Sequence, residues 1–244
     1  MALAMNRDYD EAYILRTIDY QEHSKLIYMY TASGIKSGLA RGVKKMQSPL
    51  RHLMQTGMLL SVDLSKGKLP TIKDAEMLTY YKSIKEDLIK TTIVSVINEL
   101  IYYNVSDHDD HQKLFQFIKK VLDALSLSDS PLEILNVFEL KFLYFLGYGI
   151  QFNRCSACSK VEPLFFDSHS GMVFCEEHLE HHQHALDKEA FAPLQYFLHV
   201  DIEKFKPLNL DKQKHQRLQA IIDDLYDVHL SARPKAKKIL KSLD

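Results

Sequence analysis

Hydrophobic and polar positions follow a period of two along residues 11–78, which predicts β-strands. The segments are rich in Ile, Tyr and Thr, and turn signals at 32–34 and 65–67 separate them. A sheet of five short strands in about seventy residues must close on itself, because an open sheet would leave the backbone groups of its edge strands unpaired. This favours a small Greek-key barrel of the OB type, with an open meander or an SH3-like barrel as the alternatives. The predicted strands are 12–18, 25–31, 34–40, 57–64 and 69–75.

After residue 80 the apolar residues recur at helical spacing instead. The clearest helix start is Ser130 as N-cap, with Pro131 at the first helical position and Glu133 at the third. The helix that follows, 132–146, is apolar on almost all sides, so it should be buried at the centre of a helical domain. The other predicted helices start at the capping box Ser83–Glu86 and at Asp107–Asp110, or occupy 189–200 and 212–230.

The charge of the chain is unevenly distributed. The net charge is only −1, but residues 36–73 carry eight basic side chains and one acid, whereas 81–150 carry seven basic and ten acidic ones. This asymmetry predicts that the N-terminal region binds a polyanion. A second basic run, 233–241, ends the chain, and a solvated tail is an equally good interpretation of it. The eight N-terminal cations are Lys36, Arg41, Lys44, Lys45, Arg51, Lys66, Lys68 and Lys73.

All three cysteines lie in two short knuckles, in which Cys155 pairs with Cys158 and Cys175 with His178. Thiolate and imidazole are ligands that Zn²⁺ prefers, and this spacing lets four ligands converge on one tetrahedral ion. Two short strands predicted within 163–174 complete the outline of a zinc ribbon with one structural Zn²⁺. The alternative is accidental spacing of buried thiols. Other histidines near enough to replace His178 are His169, His181, His182 and His184.

Motifs of covalent catalysis are missing from the sequence. It contains no P-loop, nucleophile elbow, HExxH or dinucleotide fingerprint. The HxE of a zinc deaminase is present only at 178–180, on the wrong side of the CxxC motif. We therefore expect a protein that is not an enzyme. No apolar run approaches the roughly 20 residues of a membrane span and no signal peptide opens the chain, so we expect a cytoplasmic protein without a membrane partner.

The order and spacing of several motifs, taken together, are specific. The chain resembles the RecO family of recombination mediators over nearly its whole length. The motifs that carry the resemblance are Tyr13–Arg16 leading to Asp19, Tyr20 and Glu22, the run Gly38–Lys45 followed by Leu50 and Arg51, Phe138–Leu143 with Leu146 and Gly147, and the knuckle at Cys155.

This resemblance implies an N-terminal OB fold that binds single- and double-stranded DNA and anneals complementary strands. It also implies cooperation with the RecR protein, the single-strand-binding protein and, indirectly, RecA, in the cytoplasm at the nucleoid. Members of the family carry four cysteines at the metal site or lack the site. The DNA-binding role transfers directly to Arg41, Lys44, Lys45 and Arg51; for the other four cations it follows from charge and position.

The sequence thus predicts an α+β multidomain protein. Its parts are an OB-fold DNA-binding domain (1–80), a helical domain (81–150), an inserted zinc ribbon (151–186) and C-terminal helices that pack on the helical domain (187–244). The predicted function is that of a recombination mediator in DNA repair. The alternative is a zinc-ribbon regulator that binds a protein partner or duplex DNA, with the barrel as a scaffold.

Overall fold

The computed structural model describes residues 9–149, 151–161, 163–167, 169–179 and 188–243. By compactness the chain divides into two units. The first comprises Met1–Lys119 with Pro234–Asp244, and the second comprises Lys120–Arg233. The finer division into four domains stays a prediction.

A five-stranded antiparallel sheet forms the N-terminal part of the first unit. Its strands are β1 (Tyr9–Tyr20), β2 (Ser24–Thr31), β3 (Gly34–Ala40), β4 (Leu59–Leu64) and β5 (Ile72–Thr79). They lie in the order β3-β2-β1-β4-β5. The sheet closes where Leu39 of β3 forms a parallel bridge to Thr71 and its N–H donates to the carbonyl of Pro70 over 2.7 Å. This is the topology of an OB barrel, and the fold prediction is confirmed.

Strand β1 changes its pairing partners along its length. It pairs with β4 over Tyr9–Tyr13 and with β2 on its other edge. The register with β2 shifts between Ile14 and Arg16, so Leu15 is a bulge residue. A bulge bends its strand and re-aims the side chains beyond it. Among the described residues, the segment Arg16–Tyr20 therefore pairs with β2 alone.

The barrel interior is filled by apolar side chains from every strand and from the connection between β3 and β4. Strand alternation brings these side chains to one face, so the core follows from the period-two pattern. Its members are Ala12, Ile14, Ile27, Met29, Ala40, Val43, Leu53, Met54, Met58, Leu60, Val62, Ile72 and Ala75.

Two helices follow the barrel, α1 (Lys82–Lys85) and α2 (Leu88–Asn104). The predicted capping box at Ser83 is wrong, because Ser83 lies inside the short α1. Asp87 caps α2 instead: its backbone is extended and its carboxylate accepts a hydrogen bond from the Lys90 N–H over 3.0 Å. The next helix, α3 (His111–Leu127), starts where its sequence signal predicts, with Asp110 accepting from the Lys113 N–H.

The second unit is built around α4 (Pro131–Phe145), which is buried along most of its length, as predicted. Its start differs in detail, since the Ser130 side chain makes no capping hydrogen bond. The Glu133 carboxylate instead accepts from the N–H groups of Leu208 and Leu210, at 2.7 and 3.0 Å. The remaining elements are β6 (Leu164–Asp167), β7 (Met172–Cys175), α5 (Lys188–His199), α6 (Lys212–His229) and 3₁₀ turns at Glu176–His178 and Ile202–Lys204. Within the described part of the chain, no helix is long and apolar enough to cross a membrane.

The basic run at the end of the chain is not a solvated tail. It forms helix α7 (Ala236–Leu243), which contacts α2 and buries Lys237 and Leu240. The Glu99 carboxylate of α2 accepts hydrogen bonds from the N–H groups at the start of α7. An acidic side chain at a helix N-terminus satisfies free N–H groups and complements the helix dipole, so this contact fixes α7 in place.

Replacing Leu240 with alanine tests this packing. The Leu240 side chain is only 6% exposed, so its removal should lower the free energy of unfolding by about 2–5 kcal/mol. Ile239→Ala is the matched control, because Ile239 is 56% exposed on the same helix. Urea denaturation measures the free energy of unfolding of each variant. Equal, small decreases for both would mean that the basic run is solvated and not packed.

Candidate functional site

The eight cations predicted to bind a polyanion all lie in the first unit, on the barrel strands or their connections. Three of them are neutralised by ion pairs. Two of the partner acids belong to β1 and lie outside residues 36–73, where eight basic side chains and one acid were counted. That count therefore overstates the positive charge that is available to a ligand. The pairs are Lys36–Asp10 at 2.9 Å, Lys44–Asp19 at 2.8 Å and Lys73–Asp63 at 3.6 Å.

The other five cations are exposed, and none forms an ion pair with another residue in the described ranges. They occupy two connections, β3 to β4 and β4 to β5. Exposed cations without a protein partner are free to contact an anionic ligand. They are Arg41, Lys45, Arg51, Lys66 and Lys68.

The connection 41–51, here called the basic loop, contacts the barrel through its first residues. Val43 is buried in the barrel core. The Lys44 N–H donates to the carbonyl of His23, and the Lys45 N–H closes a turn on Gly42, each over 3.0 Å. Gly42 has a φ of 64°, which favours glycine. These contacts anchor the backbone of the basic loop to the barrel.

A concavity of about 590 Å³ lies beside the basic loop, and Lys25, Lys44 and Arg51 line it. Lys25 was not among the cations counted from the sequence, because it lies near the start of β2 and outside residues 36–73. Its register partner on β1 is Asp19. The hydrogen bond from Lys44, reinforced by the charges of Lys44 and Lys25, lowers the pKa of Asp19. This acid therefore stays ionised and offsets part of the positive charge of the concavity.

The four predicted metal ligands come together in the second unit. Cys175 ends β7, and the 3₁₀ turn behind it brings His178 back over the first knuckle. That knuckle turns on itself through hydrogen bonds from Cys155 N–H to the Lys160 carbonyl and from Ser159 N–H to the Cys155 carbonyl. The Sγ atoms of Cys155, Cys158 and Cys175 and a ring nitrogen of His178 all lie within 4.8 Å of one another.

The spacing of these atoms fits a tetrahedral metal ion. The Sγ atoms of Cys158 and Cys175 are 3.7 Å apart, and Nδ1 of His178 lies 3.3 Å from the Cys175 sulfur and 3.9 Å from that of Cys155. Bond lengths of about 2.3 Å to sulfur and 2.0–2.1 Å to nitrogen give edges of roughly 3.8 and 3.6 Å. The group can thus hold a metal ion without large rearrangement.

The Cys155 thiol is prepared for metal binding. Burial opposes its ionisation, but backbone N–H groups of Cys175, Cys158 and Ala157, together with the Cys158 thiol, lower its pKa to about 6. The thiolate is the form that binds metal ions. His169 does not belong to the cluster, and the other alternative histidines, His181, His182 and His184, lie outside the described residues.

These features define a class: an OB-barrel protein with a cationic loop anchored to the barrel and, in a separate helical unit, a Cys₃His group. Family models described as the N-terminal and C-terminal parts of recombination protein O match residues 5–81 and 85–238. The chain belongs to the recombination protein O (RecO) family, so the resemblance seen in the sequence is confirmed. Membership supports a role in DNA recombination and repair.

Several relatives are similar over almost their entire length. Proteins named DNA repair protein RecO from Bacillus cereus (strain AH187), Bacillus anthracis and Bacillus mycoides (strain KBAB4) are each 25% identical to this chain over 241 residues. The similarity covers 96% of this chain and 96% of each relative. It therefore includes both the barrel and the second unit.

Proposed function

We propose that the protein is a recombination mediator in DNA repair. It binds single- and double-stranded DNA through the barrel, anneals complementary strands and, with RecR, helps to load RecA on DNA covered by single-strand-binding protein. The observation that carries the DNA-binding step is the set of five uncompensated cations on two barrel connections. The protein partners and a cytoplasmic location at the nucleoid are proposed from the family alone.

Annealing requires that two polyanions approach each other, and each phosphate contacted by Lys or Arg releases condensed counterions. The basic loop supplies Arg41, Lys45 and Arg51 from a backbone that is hydrogen-bonded to the barrel. The contribution of Lys36, Lys44 and Lys73 is smaller, because binding a phosphate must compete with an existing ion pair. Such a protein acts by binding and release, so we propose that it catalyses no covalent step.

We also propose that Cys155, Cys158, Cys175 and His178 hold one structural Zn²⁺. The support is the donor set and the tetrahedral spacing of its atoms. Four protein ligands leave no open position for water or substrate, so the bound ion would stabilise the fold and take no part in DNA chemistry.

Single-strand binding should depend strongly on salt. If the five uncompensated cations each contact one phosphate, log affinity plotted against log salt should fall with a slope of about −3.5, since each contact contributes about 0.7 for single strands. Fluorescence anisotropy with labelled oligonucleotides of different sequence measures the slope. A flat salt response, or strong preference for one sequence, would contradict the proposal.

Asp19→Asn sharpens this test, because it releases Lys44 and Lys25 from their acid. The slope should steepen by about 0.7 for each cation that gains a phosphate contact. Glu76→Gln is the matched control: it removes one exposed acid from β5 of the same barrel, and no ion pair of Glu76 is found among the described residues. Equal effects of the two variants would mean that only net charge matters.

Strand annealing should depend on the basic loop. Reversing Arg41 and Lys45 to Glu replaces two phosphate contacts by repulsion, so the annealing rate at moderate salt should fall at least about tenfold. The assay follows two complementary labelled strands without nucleotide. The control reverses Lys82 and Lys238, two exposed lysines outside the basic loop. Loss of annealing in the control alone would place the DNA surface elsewhere.

Protein purified without added zinc should contain about one zinc ion per chain, as expected of a structural site. His178→Ala should lose the ion readily and lower the melting temperature, whereas His169→Ala should retain it. Elemental analysis and thiol titration measure both. Near-zero metal with three titratable thiols would exclude the site, and greater loss in His169→Ala would identify a different fourth ligand.

A further inference from the structure

A second concavity of the first unit lies between β1 and α2. Its volume is about 360 Å³, within the range of roughly 300–1,000 Å³ that small-ligand pockets occupy. The side chains that matter for its chemistry are Arg16, Thr56, Asn98, Glu99, Tyr103 and Lys235. None of them belongs to the eight N-terminal cations counted from the sequence.

Asn98 carries the strongest indication of a ligand. Its side chain is 3% exposed, and neither its amide oxygen nor its amide nitrogen has a hydrogen-bond partner among the described residues. Leaving buried polar groups unpaired is costly. Other polar side chains of α2 are bonded: Ser95 donates to the Thr91 carbonyl and Asn104 to that of Leu100. Asn98 lines the pocket, and its amide is without a hydrogen-bond partner among the described residues.

The wall of the pocket is aromatic. The Arg16 guanidinium lies 5.4 Å from the centre of the Tyr102 ring, and Tyr28 contacts the same ring edge-on at 5.3 Å. Tyr103 packs edge-on against Tyr102 at 5.0 Å and remains 47% exposed. A fixed aromatic ring and a planar guanidinium are surfaces on which nucleobases stack.

The pocket adjoins the concavity beside the basic loop. Gln55 lines that concavity and the next residue, Thr56, lines the pocket. On β1, Thr17 lines the pocket and Asp19 the concavity, a separation of about 7 Å at the rise of a strand. A single strand whose phosphates follow the basic loop therefore has a base within reach of the pocket.

We propose that this pocket takes one unstacked nucleobase of a bound single strand, an inference that rests on the proposed DNA binding. An asparagine amide pairs side by side with a base edge that offers one acceptor and one donor, and adenine is its usual partner. The charges that line the pocket are mixed, since Glu99 lies there together with Arg16 and Lys235. The preference for a neutral base with an amino group therefore rests on the Asn98 amide and on the aromatic wall. The base would lie between the Asn98 amide and the ring of Tyr103.

The test compares oligo(dA) of twenty nucleotides with an abasic strand of the same length and charge. The full-length protein should bind oligo(dA) at least about fivefold more tightly, since stacking of one base contributes at least that factor. Asn98→Ala and Tyr103→Ala should each reduce this ratio towards one and leave the abasic affinity unchanged. Asn104→Ala, on the same helix, should keep the wild-type ratio.

A structural role for Asn98 gives a different result. Because its amide has no protein partner, Asn98→Ala should not lower the melting temperature, and a fall of many degrees would overturn the inference. Equal affinity for both strands, unchanged in the variants, would overturn it while leaving the DNA-binding proposal intact. Failure to bind either strand at low salt would reject both. An acidic peptide offers a further comparison. If it competes with DNA for the wild-type protein but not for Asn98→Ala, and the ratio of oligo(dA) to abasic affinity is the same in both proteins, the pocket binds a protein partner and the inference is overturned.

Discussion

The bulge at Leu15 is the constraint on which the surface of the first unit depends. Before it, β1 pairs with β4 over Tyr9–Tyr13 and with β2 from Ala12 onward. Beyond it, in the described part of the chain, Arg16–Tyr20 pairs with β2 alone. A regular strand would continue the barrel wall. The bulge instead bends the strand. Residues beyond it line the two concavities described above, Arg16 and Thr17 one and Asp19 the other.

The acids on β1 show that charge in a folded protein is not a local property. Asp10 and Asp19 neutralise lysines that are more than twenty positions away in sequence. Exposed ion pairs of this kind contribute little to stability. Their larger effect is to select which cations remain available, so the charge pattern of the surface is set by strand pairing.

Local signals in the sequence predicted the elements whose ends are defined locally. Strand β3 was predicted to the residue, since a glycine turn precedes it and a charged segment follows. The start of β5 was placed three residues early, because Pro70 belongs to the preceding connection and supplies only a carbonyl to β3. The metal group was predictable because ligand spacing is itself a local signal.

What the sequence did not reveal depends on contacts between distant segments. Nothing near Asn98 in sequence indicates that its amide is buried without a hydrogen-bond partner among the described residues. Asp19 is close to Lys25 in sequence, but only the register of the β1–β2 hairpin shows that the two residues are opposite each other. The packing of the basic run likewise involves Glu99, which lies far away along the chain. Charge density alone cannot distinguish a tail from a packed amphipathic helix.

Helix α7 belongs to the first unit although it follows the second unit in sequence. This affects the order in which the parts of the chain can fold. Domains generally form as they are synthesised, from the N-terminus onward. Here α7 contributes to the same compact unit as the barrel, so that unit gains its final helix only after the entire second unit has been translated. Until then the face of α2 that α7 covers is open to water, and the nascent barrel unit is an incomplete intermediate for most of its time on the ribosome.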